Sequence, residues 1–254
     1  MADPSGKTAL ITGAAHRIGR ALALALARKG WTIAVHYRQS AAAAEALLDE
    51  LAEAGGRGIA LSGDLMCEDE VLGLVPRAVE RVGPLSLLVN NASLFEPDGA
   101  LTATRSLWDA HLETNLRAPF VLTQSFAAQL PEHMQGNVVN VIDQRVLNLT
   151  PHFMTYTLSK AALWALTQTL ALALAPSIRV NAIGPGPALP SIRQTALQFE
   201  RQCQAMPLRQ GTSPGEIAEA LLFILASTSM TGQMIALDGG QHLCWAPAGQ
   251  TPEE

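Results

Sequence analysis

Three cysteines are all that 254 residues provide. Cys67, Cys203 and Cys244 lie far apart with no C-x-x-C spacing, which supports neither a disulfide framework nor a zinc site, so no metal is expected and a reducing cytoplasm fits best. Charge is scarce too. Lys and Arg number 17 against 22 Asp and Glu, a formal net charge of -5, so there is no basic excess to neutralise a nucleic-acid backbone or an anionic membrane. No uncharged apolar run reaches the ~20 residues that span a bilayer. The 161–175 stretch is interrupted by Gln168 and several threonines, and Met1 to Lys7 carries no cationic and apolar leader pattern. Internal repeats and linker-like breaks in composition are also missing. A 48% hydrophobic chain of this length can bury a large core, so the expectation is one domain over 1–254 acting on a small molecule.

What is present alternates. Short runs rich in β-branched residues exchange with Ala- and Leu-rich helical stretches, the pattern of repeated βαβ units around a buried parallel sheet. Seven strands are expected: Thr8–Thr12, Thr32–His36, Arg57–Leu61, Leu85–Asn90, Asn137–Ile142, Ile178–Ile183 and Met234–Asp238. The fold class is thus α/β, a single-domain, Rossmann-type doubly wound sheet with helices on both faces. The core is placed at 7–240. Residues 184–213, where Gly, Pro and Gln replace the periodicity, read as a substrate loop with short helices, and 241–254 as a tail with mobile last residues.

The first strand runs into Thr12-Gly13-Ala14-Ala15-His16-Arg17-Ile18-Gly19 and then a helix expected over Arg20–Lys29. Strand, glycine-containing turn and helix N-terminus together make an anion site, because free N–H groups and the positive dipole end face a pyrophosphate. The second strand ends in His36-Tyr37-Arg38-Gln39-Ser40, without the acidic residue that would bind the 2′-hydroxyl of NAD. Arg38 and Ser40 offer charge and hydroxyl to a 2′-phosphate instead, favouring NADPH. Asp64 either accepts from the adenine amino group or caps the helix beginning near Glu68. Tyr156 and Lys160 are i and i+4, so they share a helix face, and a cation there lowers a phenol pKa that is otherwise near about 10.

Combined with Asn90-Asn91-Ala92-Ser93 at the fourth strand's end, Asn115 on the next helix and the closing Leu237-Asp238-Gly239-Gly240, these motifs resemble the short-chain dehydrogenase/reductase family over about residues 7 to 240. The resemblance implies cofactor contacts from Gly13, His16, Arg17, Ile18 and Gly19; from His36, Tyr37, Arg38, Gln39 and Ser40; from Asp64 and Leu65; from Asn91, Ala92 and Ser93; and from Pro185 and Gly186. It also implies that Tyr156 exchanges the proton, that Lys160 holds the nicotinamide ribose, and that Asn115 holds a water linking Lys160 to solvent.

Two departures narrow the resemblance. Arg17 takes the middle glycine position of T-G-x-x-x-G-x-G, and Asp143, thirteen residues before Tyr156, replaces the serine that polarises a substrate carbonyl. A carboxylate beside a developing alkoxide opposes carbonyl reduction, whereas a C=N bond whose nitrogen must gain a proton is helped by an acid or relay there. Both features are similar to pteridine reductases and dihydromonapterin reductases, as is Asn91-Ala92-Ser93-Leu94-Phe95. By that resemblance Arg17, Ser93, Phe95, Asp143, Phe153 and Tyr156 bind substrate, Phe95 by stacking the pterin against the nicotinamide. Arg17 would bridge cofactor phosphate and pterin oxygen. Phe153 departs from a second tyrosine that such enzymes can carry. The expected activity is NADPH-dependent reduction of a dihydropterin or dihydrofolate by a homotetramer, its interfaces on the helices 105–130 and 155–175. A carbonyl reductase acting on a 3-oxoacyl thioester or sugar, and a non-catalytic NADPH-binding sensor or scaffold, are the alternatives.

Overall fold

A computed structural model describes residues 6–244. Seven strands form one sheet in the order β3-β2-β1-β4-β5-β6-β7, every neighbouring pair parallel. They are β1 (Thr8–Ile11), β2 (Thr32–Tyr37), β3 (Arg57–Ser62), β4 (Leu87–Asn90), β5 (Gly136–Val141), β6 (Ile178–Pro185) and β7 (Met234–Leu237). Each lies within three residues of its expected bounds. A parallel sheet needs cover on both faces, and the period-2 alternation of the strands supplies it. Ala9, Ile11, Ile33, Val35, Leu87, Val89, Val139 and Val141 join one core cluster, whereas Leu10, Ala34, Leu61, Leu88, Val138 and Val180 join another.

The first cluster is closed by α1 (Arg17–Ala27), α2 (Ala41–Glu53) and α8 (Pro214–Ala226); the second by α3 (Glu68–Val82), α5 (Ala118–Gln129) and α6 (Met154–Leu174). Strand order reverses between β1 and β4, so the connections leave a crevice at their carboxyl ends, where ligands bind in open α/β sheets. Ser213 starts α8 with a capping box to Glu216, and Pro214 at the first helical position reinforces the start.

Local differences from expectation have simple causes. Helix α1 starts at Arg17, three residues before the expected Arg20, because Arg17 takes a left-handed φ of 51° and turns the chain into the helix at once. The stretch 105–130 is divided into α4 (Arg105–Leu112), a π-helical turn Glu113–Arg117 and α5, so Asn115 sits in the turn rather than on a regular helix. Residues 184–213 hold the end of β6 and α7 (Ala196–Gln204). The expected mobile tail lies outside the described residues beyond Cys244. Among the described residues, no helix is long and apolar enough to cross a membrane.

Candidate active site

Two clefts share Ser93 along the carboxyl edge of the sheet. One is walled by Gly13, His36, Arg38, Asp64, Leu65 and Ala92, with Met66, Leu94 and Thr114. The other is walled by Arg17, Ile18, Asn91, Phe95, Asp143, Tyr156, Lys160, Pro185 and Gly186, with residues of the loop after β6 and of α7. Of the residues expected to touch a ligand, His16, Gly19, Tyr37, Gln39, Ser40, Asn115 and Phe153 wall neither cleft. Most of these act from behind. A Cβ on Gly19 would lie 2.3 Å from the Gly13 carbonyl oxygen, so glycine lets α1 abut the turn. Tyr37 packs into the first core cluster, and Ser40 is the residue before α2.

The first turn is held from below. Asn91 donates its side-chain amide to the Thr12 and Gly13 carbonyls at 2.8 and 3.2 Å, and Thr12 Oγ1 accepts from the Asn91 and Ala92 N–H groups at 3.0 Å each. His36 Nδ1 accepts from the Gly13 N–H at 3.1 Å, which leaves Nε2 as donor to the Gly63 carbonyl at 3.0 Å. Burial pulls its pKa below the ordinary histidine value, so it stays neutral. Its ring nitrogens serve the backbone, so His36 supports the cofactor turn while also walling the first cleft. His16 precedes α1 without a side-chain cap, so the first N–H groups of that helix remain available to an anion. Arg38 is exposed on the first cleft's wall with no acidic partner among the described residues. Asp64 caps nothing on α3; its Oδ1 accepts from Met66 N at 3.0 Å, which settles one of its two readings. An uncapped helix start, a glycine turn at φ 62° and an exposed cation at the end of the neighbouring strand fit a dinucleotide bearing an extra phosphate.

The chemistry lies in the second cleft. Tyr156 donates its hydroxyl proton to Asp143 Oδ2 at 2.8 Å, and Asp143 Oδ1 accepts from the Arg145 N–H at 2.8 Å, capping the 3₁₀ turn Gln144–Val146. Lys160 is buried, donates to the Val141 carbonyl at 2.9 Å and places Nζ 5.8 Å from the Tyr156 ring centre. Burial pulls its pKa down from the ordinary lysine range to about 8, with the Asp143 carboxylate opposing that shift. Asn115 uses its side chain in full. It donates to the Leu94 carbonyl and Ser159 Oγ at 3.0 Å each, and accepts from the Leu94 N–H at 2.8 Å and from Ser93 Oγ at 3.2 Å. The expected water would therefore have to use its main chain.

Phe95 walls the cleft but carries Phe153 on one face, stacked at 4.4 Å and 9°, and meets the Tyr156 ring edge-on at 4.7 Å. Phe153, 2% exposed with a left-handed φ of 54°, thus backs Phe95 and does not itself face the cleft. This corrects its expected contact with substrate. Arg17 donates to the Pro190 and Leu189 carbonyls at 2.9 and 3.2 Å, and Arg193 donates to the Phe95 carbonyl at 2.9 Å and Glu96 Oε2 at 3.1 Å. The loop after β6 is therefore tied to both sides of the crevice. Sequence reading missed Arg193 and the cavity residues Phe199 and Gln202, which come from a stretch without periodicity or motif, and Gln144, which follows Asp143 after β5.

His111 completes the support. Thr155 Oγ1 donates to Asp98 Oδ2, so it must accept from His111 Nδ1 at 2.7 Å; Nε2 then accepts from the Glu96 N–H at 3.2 Å. Burial pulls the His111 pKa down, and the neutral ring anchors 94–98 to the start of α6.

A doubly wound sheet with an anion-binding turn at its switch point and a Tyr–Lys pair beside it defines a dinucleotide-dependent oxidoreductase. A short chain dehydrogenase family model matches residues 7–201, and the chain belongs to that family. It is 45% identical to FolM alternative dihydrofolate reductase 1 from Brucella canis complexed with NADP, over 95% of this chain and 96% of that one, with a TM-score of 0.89. The Brucella suis counterpart gives 45%, 95%, 97% and 0.88. A 3-oxoacyl-[acyl-carrier-protein] reductase from Synechocystis sp. is 31% identical over 94% of this chain and 98% of its own length.

Proposed function

We propose that the protein uses NADPH to reduce a C=N bond of a dihydropterin or dihydrofolate ring to the tetrahydro form. The observation that carries this reading is the 2.8 Å hydrogen bond from Tyr156 to Asp143, a carboxylate where carbonyl reductases of the family place serine. NADPH, when bound, supplies the hydride to ring carbon. The protein's own groups manage the proton: Tyr156 and Asp143 hold one between them within reach of a substrate nitrogen, and the Lys160 ammonium stabilises the anion left on that pair after transfer. Ser93 and Arg17 hold the ring's polar edge, and Phe95, backed by Phe153 and with the Arg193 guanidinium 5.3 Å from its ring centre, packs against the ring. Arg38 takes the cofactor's extra phosphate.

Reduction of a 3-oxoacyl thioester is the second reading, supported by relatives such as the Synechocystis reductase. It asks an ionised carboxylate to sit beside a developing alkoxide, which is repulsive by several kcal/mol. A single panel separates the two. NADPH oxidation is followed with dihydropterins, dihydrofolate and a β-ketoacyl thioester; turnover of the thioester alone would overturn the pterin reading.

We further propose a homotetramer in the cytoplasm. Trp108 on α4 and Leu158 and Leu172 on α6 are exposed apolar side chains on the two helical stretches expected to form the interfaces. Sedimentation equilibrium at a single-chain mass would refute the assembly.

A further inference from the structure

The helix that carries Tyr156 and Lys160 has no cap of its own. Phe153, the residue before α6, is left-handed and has no side-chain acceptor for the first N–H groups of the helix, a condition under which helix ends fray. The acceptor comes from 57 residues back in the chain. Asp98 Oδ1 and Oδ2 accept from the Thr155 N–H at 3.2 and 3.3 Å, Oδ2 also accepts from Thr155 Oγ1, and the Asp98 carbonyl accepts from the Phe153 N–H at 2.9 Å. One residue thus holds the chain on both sides of the helix start, with its charge facing the positive end of the helix dipole. Tyr156 comes next, third in the helix.

Thr155 carries the contact further. Its buried Oγ1 accepts from His111 Nδ1 at 2.7 Å, and His111 accepts from the Glu96 N–H at 3.2 Å, so a closed circuit of bonds runs from Asp98 through Thr155 and His111 to Glu96 and back along the chain. Beside that circuit stand the two rings the phenol leans on: Phe95 meets Tyr156 edge-on at 4.7 Å, and His111 does so at 6.0 Å. A phenol hydroxyl lies at the far end of its side chain, so a small tilt of the first helical turn displaces it more than the backbone. Proton transfer tolerates little displacement. We propose that Asp98, acting through the Thr155 amide and hydroxyl, is a positioning residue that fixes the Tyr156 phenol for proton transfer. Ring reduction and thioester reduction both use that phenol, so the role of Asp98 rests only on Tyr156 being the proton donor.

The test follows NADPH oxidation in a single turnover of the full chain, with a dihydropterin or, if the parent turns over only that, a β-ketoacyl thioester. Asp98→Ala and Thr155→Val, which keeps the shape of threonine without its hydroxyl, should each slow that turnover at least about tenfold, within the range that a misplacement of about 1 Å produces. Thr155→Ser restores the hydroxyl and should stay within about threefold of the parent, and NADPH affinity should change less than about threefold in all three, the scale of a fraction of one hydrogen bond. The Thr155 pair decides the matter if Asp98→Ala does not fold. A lower Tm with the parent's turnover rate in either Asp98→Ala or Thr155→Val would make the contact merely structural and overturn the proposal. So would a Thr155→Ser variant as slow as Thr155→Val, or a loss of NADPH affinity as large as the loss of rate. A parent that turns over neither substrate would remove the role of Tyr156, and that of Asp98 with it.

Discussion

In the proposed reading Asp143 and Lys160 act on one phenol, Asp143 through its hydrogen bond and Lys160 from 5.8 Å off the ring centre. Replacing Asp143 by serine removes the carboxylate that holds the Tyr156 proton; we expect kcat/KM for a dihydropterin to fall about 100-fold or more, the usual worth of a placed acid or base. A variant as active as the parent would refute the role given to Asp143. Lys160 supports the phenol only while protonated. Since its pKa is drawn down to about 8, kcat/KM should decline as pH rises through that value. A profile flat from pH 7 to 10 would count against it. Much of this was legible in the sequence, because Asp143, Tyr156 and Lys160 are fixed by spacing along one strand end and one helix. The roles of His36 and Phe153 were not legible. Whether a ring faces a cleft or backs its neighbour depends on contacts with residues remote in the chain, Gly63 for His36 and Phe95 for Phe153.

The elements explain why the strand pattern could be read and the loop could not. The inner strands β1, β2, β4, β5 and β6 are buried on both faces, so their apolar runs are obligatory and their bounds follow, whereas the edge strands β3 and β7 are only partly covered. Phe126 on α5 shows what such burial is worth. It is fully buried and approaches the Gly136 backbone so closely that a Cβ there would meet its ring at 3.0 Å. Phe126→Ala should cost about 3–5 kcal/mol of stability; denaturant unfolding with a loss below about 1 kcal/mol would show that the site collapses to fill the void. The loop after β6 answers to different forces. Its position is set by guanidinium-to-carbonyl bonds from Arg17 and Arg193, which leave no periodic trace. Helix 105–130 was read as continuous for a related reason: its composition favours helix throughout, and the π turn that carries Asn115 is imposed by that side chain's bonds to Leu94 and Ser159.

For the molecule as a whole, His36 and His111 tie separate layers of the site together as neutral rings. Both have folded-state pKa values below the ordinary histidine value of about 6.5, so between those values and 6.5 the unfolded chain binds more protons than the folded one. Their stabilisation is present above pH 6.5 and is lost as pH falls through the lowered values. We expect Tm to drop on acidification below about pH 6.5, with a shallower slope in His111→Gln; an unchanged slope would remove His111 from the account.

Arg17 carries a further consequence. It holds a left-handed backbone conformation at the position where the family pattern has glycine. A side chain costs roughly 1 kcal/mol there. Arg17→Gly should therefore yield a protein that melts higher and works worse, a gain in durability set against a loss in competence. Selection for thermal endurance alone would erase this arginine, and its persistence in a lineage would mark continued demand for the reaction.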